Sequence, residues 1–197
     1  VFGKNNYEIL KTPSAPDDPL KWFDSKSYKE RLKTARKKTG QQSAVMIVKT
    51  KIKNINVTAG AFDFTFIGGS VGAAEGEAII YGIQNAIDNK HPFILFTASG
   101  GMRMFESLIA LSQMTRVTLA INELKKNNLP YIVVLTDPTA GGTTASFGML
   151  GDVTFAEPGS VVAFSGKRVI QATVKEELPE DFQTSEYVER SGFIDSV

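Results

Sequence analysis

Three glycine pairs stand out as residues able to do chemistry: Gly68-Gly69, Gly100-Gly101 and Gly141-Gly142. Each follows a run that reads as a β-strand. In α/β sheets, ligands bind beyond the carboxyl ends of strands. Glycine there lets backbone approach a ligand closely and take up φ > 0. A helix starting after such a pair presents free N–H groups and a partial positive charge. Together these features make an oxyanion hole, which steadies negative charge developing on a carbonyl oxygen. Any one pair also fits a plain strand-to-helix turn. None fits G-x-G-x-x-G or G-x-x-x-x-G-K-[ST], so phosphate loops of those kinds are disfavoured.

Side chains near the pairs add few acids or bases. Ser99 invites a serine-hydrolase reading, but a nucleophile needs a base within reach. The one histidine, His91, precedes the strand that ends near Thr97. Six residues at ~3.3 Å each put it about 20 Å away. His91 therefore reads as a turn residue and Ser99 as a helix-entry residue. Arg103 fits a phosphate or carboxylate contact, or a structural bond to neighbouring loops. Lys167 and Arg168 fit either a phosphate contact or a solvated pair. Asp137 and Asp152 are candidates for polar duties near the site, although Asp137 before Pro138 also suits a turn.

The elements that must position these residues alternate. Residues 1–24, with Pro13, Pro16 and Pro19, read as an irregular arm. Residues 25–38 read as a basic helix with Tyr28, Leu32 and Ala35 on one side. Residues 44–50, 55–60 and 61–67 read as three strands. A helix over 73–89, a buried strand over 93–97 and a long helix over 102–127, apolar on most sides, follow. A strand over 130–136, a short helix through Leu150, strands at 153–156 and 161–164, and helices at 171–177 and 185–191 complete the chain. Continuous apolar strands between helices predict a largely parallel sheet covered on both faces.

Composition narrows the classes. The 197 residues are 42% apolar and 22% charged, with a net charge of +1. No strong field favours nucleic acid or membrane. There is no cysteine, which excludes disulfides and thiolate metal sites in these residues. No run approaches the ~20 apolar residues of a membrane span. Val1–Lys4 lacks a signal-peptide pattern, and a cytoplasmic setting is expected.

The segments FDFTFIGGSVGAAEGEAI (62–79), FTASGGMRMFESLIALSQMTR (96–116), LPYIVVLTDPTAGGTTASFGMLGD (129–152) and AEPGSVVAFSGKRVIQATVKEELPEDFQTSEYVERSGFID (156–195) closely resemble the carboxyltransferase β subunit of multisubunit acetyl-CoA carboxylase. DSKSYKERLKTARKKTG (24–40) resembles that family's basic helix. The combination of SGG-x-R-M with LTDPT-x-GG-x-x-ASF-x-MLGD is far more specific than either motif alone.

The resemblance implies an α/β, crotonase-like (ClpP/crotonase) fold of ββα units: an arm and basic helix over 1–40, then the carboxyltransferase domain over 41–197. It implies transfer of a carboxyl group from carboxybiotin, borne on a carrier protein, to acetyl-CoA, giving malonyl-CoA for fatty acid synthesis. It implies an α subunit sharing the active site, usually as α2β2, with biotin carboxyl carrier protein and biotin carboxylase in the larger complex. Each subunit is expected to supply one oxyanion hole. In this chain that hole maps onto the N–H groups of Gly100 and Gly101. Ser99, Arg103, Thr139, Gly141, Gly142, Lys167 and Arg168 are the expected substrate contacts. Released biotin can serve as the base, so no His-Asp or paired-carboxylate constellation is required. The family's four-cysteine zinc ribbon has no counterpart in these residues, so no metal is expected in them. An apolar patch is expected where α docks. Another acyl-CoA enzyme of this fold, such as a hydratase, an isomerase or a propionyl-CoA carboxyltransferase, and a non-catalytic docking scaffold remain as rivals.

Overall fold

The computed structural model describes residues 6–197. Val1–Lys4, the stretch without a signal-peptide pattern, lies outside the described residues. Seven strands of the described residues form one mixed sheet: β1 (Tyr7–Ile9), β2 (Val45–Ile52), β3 (Ile55–Phe62), β4 (Phe93–Ser99), β5 (Tyr131–Ala140), β6 (Val153–Ala156) and β7 (Val162–Ala163). The order is β1-β2-β3-β4-β5-β6, with β7 also on β5. Strands β1 to β3 pair antiparallel, and β3 to β6 pair parallel. The expected parallel character therefore belongs to the half that carries the glycine pairs.

Among the described residues five helices accompany the sheet: α1 (Tyr28–Thr39), α2 (Ala73–Asn89), α3 (Ser107–Lys126), α4 (Lys167–Val174) and α5 (Ser185–Arg190). Helix α1 starts where Ser27 and Glu30 form a reciprocal capping box and ends at left-handed Gly40. Tyr28, Leu32 and Ala35 recur at helical spacing and are buried. They pack with Ala44 and Phe66, so the basic helix is fixed to the domain. Helices α2 and α3 bury Ile79, Ile83, Val117 and Ile121 against Ile47, Phe93, Leu95 and Val133 of the sheet. The opposite face carries a smaller cluster of Val48, Val57, Ala59 and Ile94, with no helical residue in it. Cover by helices on both faces is thus corrected to cover on one.

Several element boundaries differ from expectation, each for a local reason. The arm contains β1, whose residues pair with Val48–Thr50 of β2. The separate strand expected over 61–67 does not form: Ala61 and Phe62 complete β3, and Asp63 then accepts the Thr65 N–H at 2.8 Å and turns the chain. The helix expected from Met102 starts at Ser107, after extended Arg103 and a short 3-10 turn at Met104–Glu106. The helix expected before Leu150 is a run of turns and a 3-10 segment at Phe147–Met149. There Thr144 and Ser146 hydroxyls bond the carbonyls of Gly141 and Gly142, competing with regular helix. No helix of the described residues is long and apolar enough to cross a membrane.

Candidate active site

Strand register brings two glycine loops together. Strands β4 and β5 run parallel in register to Thr97 and Leu135; an irregularity then brings Ser99 opposite Thr139. The residues that follow, Gly100-Gly101 and Gly141-Gly142, therefore emerge side by side. A Cβ at Gly101 would lie 3.2 Å from the Gly141 Cα and 3.3 Å from the Gly142 nitrogen. Gly101 has φ +111 and Gly141 has φ +64. Only glycine meets both the angle and the clearance at 101.

The third pair supports them from behind. Gly69, at φ +59, lies so close to β4 that a Cβ would meet the Ala98 carbonyl oxygen at 1.9 Å. The Gly68 carbonyl accepts the Gly100 N–H at 2.9 Å. All three pairs thus meet at the carboxyl ends of the central strands.

The backbone donors of the glycine loops differ in what they already bind. The Gly100 N–H is taken by Gly68, and the Gly101 N–H is donated to Ser99 Oγ at 3.0 Å. Both N–H groups expected to form the oxyanion hole thus have internal acceptors in this structure. The N–H of half-buried Gly142, against the Gly101 backbone, meets no acceptor among the described residues. The helix dipole contributes little at Gly101, since α3 begins only at Ser107.

Several expected contacts also turn inward. Ser99 is fully buried at the end of β4, not at a helix entry, and accepts bonds from Gly101 N–H and Thr143 Oγ1. Thr139 is fully buried, and its hydroxyl faces Thr97 and the Thr136 carbonyl. Arg103 is 2% exposed and held by Ser70, Glu75 and Tyr28. Its charge is kept although burial opposes it, because Glu75 and Tyr28 raise its pKa. Lys167 bonds the carbonyls of Pro179 and Glu180, which brace α4, whereas Arg168 is exposed beside it. Asp137, near the glycine loops, accepts the Val161 N–H, and Asp152 caps Tyr131 at the far end of β5.

His91 precedes β4, and Ser99 ends it, so no imidazole stands beside the serine. Burial, with nearby Lys49, lowers the His91 pKa. Among the described residues no group of three or more His, Cys, Asp or Glu side chains could hold a metal ion.

Residues that spacing did not reveal are Tyr28, Thr143, Glu75 and Glu106. The one sequence signal is Glu75, three residues after Gly72 at a helix start. Its carboxylate accepts the Gly72 N–H at 2.9 Å. What the arrangement can do follows from its polarity. Neutral backbone donors and hydroxyls line the glycine loops, with no general base among them. Such a site suits an uncharged carbonyl oxygen that gains charge during reaction.

Comparison with known proteins shows the family. Residues 22–194 match the carboxyl transferase domain model. The chain is 69% identical, over all of its residues, to the acetyl-coenzyme A carboxylase carboxyl transferase subunit beta of Pelagibacter ubique (strain HTCC1062), and covers 64% of that protein. It is 51% identical over its full length to the same-named protein of Methylocella silvestris, covering 68% of it. The chain thus spans about two thirds of the length of the curated relatives it matches. Among solved structures, transcarboxylase 12S with methylmalonyl-coenzyme A and methylmalonic acid bound is 27% identical, with a TM-score of 0.70 over 78% of this chain and 30% of that one. A Pseudomonas malonate decarboxylase hetero-tetramer, at 18% identity and a TM-score of 0.73, covers 99% of this chain and 72% of its own. That second likeness concerns the fold alone.

Proposed function

This chain belongs to the carboxyl transferase domain family, and from that premise we propose that it is the β half of an acetyl-CoA carboxylase carboxyltransferase. Its partner is an α subunit that completes the site, with a biotin carrier protein delivering the carboxyl group. The observation that carries this reading is the meeting of the Gly101 and Gly141 backbones beside the Gly142 N–H. The relatives' names support the choice of acetyl-CoA as acceptor.

Neutral backbone donors fit both oxygens such a reaction must hold, the thioester carbonyl and the ureido carbonyl of biotin. Carboxybiotin, when bound, supplies the carboxyl group. This chain's part is positioning and electrostatics. The Gly142 N–H steadies an oxygen as charge develops on it, and one such donor is worth roughly 3–4 kcal/mol. Gly101 and Gly141 give the close approach that sets the donor's place. Ser99 and Thr143 lock the loop bases together, and Arg168 is the candidate contact for CoA phosphates.

A docking partner is also in keeping with the exposed apolar side chains near the site. Met104 is 79% exposed, Leu108 76% and Phe164 67%. Clustered apolar exposure of that order marks interaction surfaces. Residues 1–40 are read as an arm whose helix braces the domain, and 41–197 as the carboxyltransferase unit.

A second acceptor enters through the transcarboxylase likeness, since that protein holds methylmalonyl-CoA. The reverse reaction separates the two. The chain mixed with an α subunit is given biocytin and either malonyl-CoA or methylmalonyl-CoA. We expect kcat/KM for malonyl-CoA to exceed that for methylmalonyl-CoA by about tenfold or more, the upper range for one methyl group in a pocket being ~200-fold. Preference for methylmalonyl-CoA would replace acetyl-CoA with propionyl-CoA as the acceptor.

A further inference from the structure

A buried charged network lies directly behind the glycine loops. Arg103, two residues after Gly101, donates from Nε to Ser70 Oγ at 3.1 Å and from an Nη to the Ser70 carbonyl. It also donates to Glu75 Oε1 at 2.7 Å and to the Tyr28 hydroxyl at 3.0 Å. The Tyr28 hydroxyl in turn donates to Glu106 Oε1 at 2.5 Å. The second Glu106 oxygen accepts the Ala73 N–H, and Glu75 accepts the Ala44 and Gly72 N–H groups. Each polar atom has a partner, and the three charged side chains are no more than 4% exposed.

Stability alone does not call for this arrangement. Apolar residues of similar volume often serve a core as well as buried ion pairs do. What hydrogen-bonded charges supply is one fixed geometry. Here that geometry joins α1, the start of α2, the loop after Gly69 and the segment after Gly101. Tyr28 is the member from the N-terminal helix, and its hydroxyl is the bridge between Arg103 and Glu106. Its ring packs on Phe105 with centroids 5.3 Å apart, and Trp22 covers the same ring.

We propose that Tyr28 is a positioning residue of the glycine-loop site: through Arg103 it holds the 68–70 and 100–103 loops in the register that aligns Gly101 with Gly141. The kinetic part of this inference rests on the carboxyltransferase reading. Tyr28→Phe removes the bridge and leaves the ring packing in place. Arg103 then loses an acceptor, and Glu106 loses a donor. Loop register loosens without loss of the fold.

The test uses Tyr28→Phe, and separately Glu106→Gln, in the complex with the α subunit. Three quantities are read: steady-state kinetics with malonyl-CoA and biocytin, melting temperature, and amide hydrogen exchange. We expect kcat to fall about tenfold in Tyr28→Phe with KM for malonyl-CoA within twofold, the pattern of a loss felt in the transition state. Exchange at the amides of Gly100, Gly101 and Arg103 should quicken at least tenfold, with β4 and β5 unchanged. Glu106→Gln should move both readouts in the same direction. Unchanged kcat in an active complex, or exchange that quickens equally across β4 and β5, would overturn the proposal, the second by showing a general stabilising role. If the wild-type complex has no carboxyltransferase activity, that reading fails by itself. The exchange pattern then decides the positioning role alone.

Discussion

Gly101→Ala is expected to lower carboxyltransferase kcat by about 100-fold in the complex with an α subunit, while the chain still folds. The cause is steric and local. Gly101 has φ +111, which costs an L-residue about 1–3 kcal/mol. The added methyl group would also sit 3.2 Å from the Gly141 Cα, 3.3 Å from the Gly142 nitrogen and 3.4 Å from the Ala140 oxygen. Those neighbours are all backbone, so they can relieve the contact only by moving the donor loop. A shift of about 1 Å at a reacting centre costs on the order of 100-fold in rate. Steady-state kinetics of malonyl-CoA consumption, with a melting curve on the same sample, measures both effects. A kcat within threefold of wild type would show that the 101–141 approach does not set the site.

The second large effect is on stability. Arg103→Met should destabilise the chain by about 3–5 kcal/mol. Methionine keeps much of the volume but leaves Glu75 and Glu106 as buried carboxylates without their cation. It also leaves the Ser70 carbonyl and the Tyr28 hydroxyl without a donor. For a chain of this size each kcal/mol shifts the melting temperature by about 2–4 °C, so a drop of roughly 6–20 °C is expected. Arg103→Lys should fall between the two, because an ammonium keeps the charge but cannot present the forked donors that Ser70, Glu75 and Tyr28 share. Denaturant unfolding of the three proteins provides the comparison. A loss below 1 kcal/mol for Arg103→Met would contradict the network's importance.

Strands β4 and β5 were legible because each opens as a continuous apolar run and is followed directly by a glycine pair. From these runs alone, a largely parallel sheet with ligand chemistry at the carboxyl ends of its strands could be read. Register was not legible. The irregularity between Thr97 and Ser99 brings Gly101 against Gly141, and periodicity carries no signal for it. Hydrogen-bond direction was equally hidden. The Gly100 and Gly101 N–H groups, the donors that the resemblance implies, are donated in this structure to the carbonyl of left-handed Gly68 and to Ser99 Oγ, which no local pattern signals.

Arg103 teaches a related lesson. An arginine after a glycine pair suggests an anion contact, and nothing local says that it faces inward. Its partners lie 28, 33 and 75 residues away. Tyr28 read as the apolar edge of a basic helix, which describes its ring but not its hydroxyl. The start of α3 was missed for the same reason: inward-turned Arg103 and Glu106 delay a helix that the apolar spacing would begin at Met102. Local patterns thus gave elements and one candidate site, whereas long-range polar pairing decided which groups remain free there.

The central claim is that this chain supplies half of a carboxyltransferase site. Its most direct test is malonyl-CoA consumption with biocytin as acceptor, measured for the chain alone, for an α subunit alone and for the two mixed. The account predicts turnover in the mixture and little or none in either component. Robust turnover by the rigorously purified chain alone would contradict the shared site, and a stable but inactive mixture would contradict the proposed reaction.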